Sequence, residues 1–79
     1  MLTLKEFIEL LTKEQATSAV PIKFAVGEDS VTISEILESG ESIDHVVIVK
    51  EGILTDEDGF EITDAKKFLE WFVYTFYTL

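Results

Sequence analysis

Asp56-Glu57-Asp58-Gly59, followed by Glu61 and Asp64, is the densest group of oxygen ligands in the chain. Hard cations such as calcium take about six to eight oxygens from acidic loops of this kind. Asp56, Asp58 and Gly59 fall on the third, fifth and sixth positions of a helix–loop–helix calcium loop. The register then breaks, because the first position is Leu54 and the twelfth, which must supply a bidentate carboxylate, is Ala65. The run therefore reads as the solvated tip of an acidic hairpin. No metal and no cofactor is expected.

The remaining candidates for chemistry are sparse. His45 is the only histidine, so it cannot supply a multi-histidine metal site. As a general base it needs an orienting partner, and its neighbour Asp44 would point to the opposite face of a strand. A surface histidine at a strand end is the expectation. Ser18, Ser30, Ser34, Ser39 and Ser42 lie in turn or cap contexts rather than in a nucleophile elbow. Gly27, Gly40, Gly52 and Gly59 are isolated, so there is no glycine-rich phosphate loop. The many carboxylates single out no acid–base pair. The chain is expected not to be an enzyme.

Charge is the more informative feature. Up to Val26 three lysines balance three glutamates. From Gly27 to Asp64 twelve carboxylates face the single cation Lys50, a local balance of −11, and the tail returns one unit to give the net −10. Such a field repels nucleic acid and anionic membrane and attracts basic surfaces. The expected partner is a protein with a basic surface, one that ordinarily holds nucleic acid. The expected contacts are Glu28, Asp29, Glu35, Glu38, Glu41, Asp44, Asp56, Glu57, Asp58 and Glu61, offering carboxylates where lysines and arginines meet phosphates.

At 79 residues the chain is expected to be one domain, 1–79, burying about 60–65% of its unfolded surface. An apolar fraction of 47% is too high for a disordered acidic tail. Without cysteine there is neither a disulfide nor a thiolate metal site. No signal-peptide pattern or spanning apolar run is present, so a cytoplasmic, soluble protein is expected. In size and composition the chain resembles the tiny acidic, cysteine-free accessory proteins of phages and mobile elements. No motif ties it to a family.

The elements that position these residues follow from periodicity and caps. Thr3 with Glu6 forms a capping box, Leu2 and Phe7 have staple spacing, and Leu4, Phe7, Ile8 and Leu11 share a helical face. Ile22, Phe24 and Val26 alternate in a strand that starts after Pro21. Thr32 and Glu35 suggest a second capping box and a short helix ending near Gly40. Val46-Val47-Ile48-Val49 reads as a central strand covered on both faces. Asp58-Gly59 marks a hairpin between residues 53–55 and 60–62. From Thr63 to Leu79 a helix is expected, with Ala65, Phe68, Leu69, Phe72, Phe76 and Leu79 on its apolar arc and Thr63 or Asp64 as cap.

The resulting class is α+β, in the order α-β-(short α)-β-β-α. Two amphipathic helices pack on a three- to four-stranded, mostly antiparallel sheet. Trp71, Tyr74 and Tyr77 exceed what a closed core requires and are candidate contacts for a partner or a second copy. Two functions follow from different features. An acidic binding module is expected from the charge, and a self-associating homodimer from the doubly apolar strand. A small enzyme or weak cation binder ranks third.

Overall fold

The computed structural model describes residues 1–77. It is α+β, with helices α1 (Leu4–Thr17) and α2 (Ala65–Tyr77) enclosing strands β1 (Ile22–Val26), β2 (Ser30–Ile36), β3 (Ser42–Lys50) and β4 (Ile53–Thr55). The strands form one antiparallel sheet in the order β1-β2-β3-β4. Short hairpins make every neighbour in sequence a neighbour in space.

The capping box of α1 is present in both directions. The Glu6 amide donates to Thr3 Oγ1 at 3.1 Å, and the Thr3 amide donates to Glu6 Oε1 at 2.9 Å. These bonds, the one from the Thr3 backbone foremost, hold the Glu6 carboxyl below its ordinary range. Leu2 and Phe7 are both buried, and the Leu2 amide donates to the Thr63 carbonyl at 2.6 Å. The chain's first residues are thereby tied to the segment leading into α2. That helix is capped by Asp64, whose Oδ1 accepts from the Lys67 amide at 2.8 Å.

The expected short helix is instead β2. Residues 30–36 carry the β-branched run Val31-Thr32-Ile33, with Val31 and Ile33 buried on one face. Strands on both sides satisfy their backbone. That pairing outweighs a four-residue capping pattern, which signals a helix only where the backbone lacks other partners. Gly40, at φ +91°, serves the 37–41 turn rather than a helix end.

Register sorts the side chains. Ile22, Phe24, Val31, Ile33, His45, Val47, Val49 and Leu54 face the helices. Phe7 and Leu11 of α1, and Phe68, Trp71, Phe72 and Phe76 of α2, close over them. The other face carries Lys23, Ala25, Thr32, Ser34, Asp44, Val46, Ile48 and Ile53. The expected second cover over Val46–Val49 is therefore not supplied within the described residues. Ile48 is 49% exposed and Val46 half-buried.

The phase of α2 also differs from the helical-wheel reading. Trp71 is 3% exposed, whereas Leu69 is 52% exposed. Rotating the helix toward Trp71 buries the larger apolar surface and sets the indole 5.6 Å from the Phe7 ring and 5.8 Å from Phe76. Leu79, placed on the apolar arc, lies outside the described residues. Phe72 is fully enclosed under either phase. Phe72→Ala should cost about 3–5 kcal/mol by urea denaturation, a large share of the roughly 4–12 kcal/mol available to a chain this size. A loss below about 1 kcal/mol would contradict its place in the core.

Candidate functional site

The ten candidate carboxylates do not converge. Glu28 and Asp29 occupy the β1–β2 turn at one end of the sheet, beside the β3–β4 turn. Glu38 and Glu41 occupy the β2–β3 turn at the other end. Glu35 faces the helix side at the sheet's margin. Asp44 lies on the open face, accepting from Ser34 Oγ at 2.7 Å. Only Asp56, Glu57 and Asp58, with Glu61 close behind, form a group set against other functional side chains.

That group is built by its own backbone. Asp56 Oδ1 accepts from the amides of Asp58 at 2.9 Å and Phe60 at 2.8 Å. The Asp56 amide donates to the Phe60 carbonyl at 3.0 Å, and Gly59 turns the chain at φ +87°. The expected hairpin keeps its turn but not its second strand: residues 60–62 meet β4 only through an isolated bridge between Thr55 and Glu61 and a bond from the Ile62 amide to Leu54 O at 2.8 Å. Ile62 plugs into the core. Asp56 is thus committed to holding the turn, while Glu57 and Asp58 project from it, both exposed.

β4 ends at Thr55, so it leaves the β3 edge before Val46. Glu57 fills that gap, its Oε1 accepting from the Val46 amide at 3.3 Å and lying 3.9 Å from His45 Nδ1. His45 is not a surface residue at a strand end. It sits inside β3 on the helix side, its ring 5.1 Å from Phe76, with Nε2 buried and without a partner among the described residues.

Between this turn and α2 lies a cleft of two adjoining hollows. The inner one, about 350 Å³, is bounded by His45, Glu57, Trp71 and Tyr74; the outer one, about 480 Å³, by Asp58, Phe60, Glu70 and Tyr74. Trp71 is almost wholly core and shows the cleft only a margin of its ring system. Tyr74 is 66% exposed and free to offer a ring face. Tyr77 is pinned through its hydroxyl, 2.6 Å from Ser18 Oγ at the end of α1. Lys67 stands at the outer rim, its Nζ 5.7 Å over the Phe60 ring and 3.4 Å from Glu70 Oε2.

The site thus combines aromatic walls with carboxylates, which suits a cation. It lacks the arrangement of an enclosed metal centre: among the described residues no group of three or more metal-ligating side chains converges. No described helix is long and apolar enough to cross a membrane. No family model, curated protein or solved structure matches this chain.

Sequence reasoning found the acidic turn and the aromatic helix but did not join them. The missed members are Phe60 and Glu70, and His45, expected at a strand end on the surface, belongs to the site instead. The signal was present in the shortness of the Ile53–Thr55 run, which ends the edge strand early and lets the turn fold toward the last helix. Asp56→Ala should destabilise the protein by about 1–2 kcal/mol, since two backbone donors lose their acceptor. Asp58→Ala should stay within about 0.5 kcal/mol of wild type. Equal urea midpoints for the two variants would contradict the assignment of Asp56 as the turn's organiser.

Proposed function

We propose that this protein is a small non-enzymatic binding module, a regulator or inhibitor, that docks its acidic turns on a basic, nucleic-acid-binding surface of a partner protein. The supporting observation is that the charge is not spent internally. Among the described residues only Glu70 pairs with a lysine and only Glu57 approaches the histidine; none of the ten candidate carboxylates meets a lysine. Carboxylates held on turns at both ends of a rigid sheet keep their full field toward solvent. A cytoplasmic protein of phage or mobile-element origin fits this reading, since such a module needs access to nucleic-acid machinery.

A homodimer through the open face of the sheet is the second reading. It is favoured by one observation, the exposure of Ile48 beside Val46 and Ile53. The two readings separate by salt. Electrostatic docking weakens as the screening length falls from about 10 Å at 0.1 M to about 3 Å at 1 M, whereas apolar self-association does not.

The test is capture of partners from bacterial lysate on the tagged protein at low and high salt, followed by competition with duplex DNA for whatever is retained. Docking predicts a nucleic-acid-binding protein held at low salt, released at high salt and displaced by DNA. It also predicts loss of capture when Glu28, Asp29, Glu38 and Glu41 are changed together to their amides. Capture unaffected by salt and by these substitutions would overturn the reading. A mass that doubles with concentration at every salt would favour the dimer.

A further inference from the structure

We infer that the cleft between the 56–60 turn and α2 is the receptor for one arginine side chain of the basic partner, stacked on Tyr74 and paired with Asp58. This rests on the acidic-docking reading and names its anchor. Three observations converge on a guanidinium.

The first is the cleft's lining. Asp58, Trp71 and Tyr74 border both hollows, giving the space aromatic and carboxylate walls. A guanidinium is planar, stacks on aromatic faces, and presents a fork of donors to carboxylates, while its apolar stem lies along ring surface. An ammonium offers only a point charge.

The second is which acceptors remain open. Asp56 Oδ1 already takes two backbone bonds, and Glu57 Oε1 takes the Val46 amide. The Asp58 carboxylate accepts no hydrogen bond from the described residues, which leaves both of its oxygens for a bidentate partner.

The third concerns a cation the protein itself places at the cleft. The protein's own Lys67 already sits at the outer rim, over the Phe60 ring and against Glu70. An internal cation thus marks the same combination of ring and carboxylate as favourable. That lysine reaches the rim only, and among the described residues no lysine lines the inner hollow beside Tyr74 and His45.

The experiment follows the amide and indole resonances of the ¹⁵N-labelled full chain during titration with hexa-arginine and, separately, hexa-lysine at low salt. The expected result is saturable shifts at the Asp58 and Tyr74 amides and the Trp71 indole, with hexa-arginine binding more tightly. Tyr74→Ala should weaken hexa-arginine by about two- to fivefold, as expected for one exposed cation–ring contact, and should abolish the preference over hexa-lysine. Tyr74 is mostly exposed, so this variant should fold; its unbound spectrum checks that. Changing Glu38 and Glu41 to glutamine should leave the cleft shifts in place.

Shifts confined to the 28–29 and 38–41 turns would overturn the arginine receptor while leaving acidic docking intact. No saturable binding of either peptide would overturn both. Shifts of the cleft residues with protein concentration alone would assign the cleft to a second copy and overturn the proposal.

Discussion

The packing of Trp71 against Phe7 and Phe76 is the contact on which the rest of the molecule depends. Phe7 belongs to the first helix, Trp71 to the last, and their rings meet 5.6 Å apart over the sheet. Both helices are amphipathic and short, and neither would hold its shape in water alone. Joined through these rings they bury one continuous apolar face, to which the sheet contributes every second residue. Fully burying each such ring contributes about 1.5–3 kcal/mol, so a few residues carry a large part of the stability of a 79-residue chain. The same contact fixes how α2 is rotated. With Trp71 inward, Leu69 and Val73 turn outward and Tyr74 is left overlooking the acidic turn.

A second constraint comes from charge. Twelve carboxylates between Gly27 and Asp64 repel one another, and compaction brings them closer. The fold relieves this by distributing them over four turns, both faces of the sheet and the cap of α2 instead of one patch. Solubility and recognition thus draw on the same residues. Among the described residues, only at the 56–60 turn does backbone hydrogen bonding aim carboxylates at an aromatic surface, which makes that turn different in kind from the others.

Much of this was legible in the sequence, for identifiable reasons. The first helix was marked by Thr3 and Glu6, the first strand by the alternation after Pro21, and the acidic turn after β4 by Asp58-Gly59. Each is a local signal whose partners lie within a few residues. The failures were of another kind. Residues 30–36 carry both a capping pattern and a β-branched alternation, and the presence of strands on either side decided between them. The both-sided apolarity of Val46–Val49 implied a cover that the described residues do not supply. The phase of α2 turned on whether Trp71 or Leu69 is the better core residue, which depends on the space beside Phe7. The cleft required the 56–60 turn and α2 to meet beside His45, and only the length of β4 hinted at it.

The most direct test of this account is the emission of Trp71, the only tryptophan, followed together with far-ultraviolet circular dichroism through urea unfolding. The account predicts short-wavelength emission from the native protein and its loss in the same single transition that removes the helix signal. Emission of a solvated indole before denaturant is added, or a change in emission that precedes loss of helix, would contradict it.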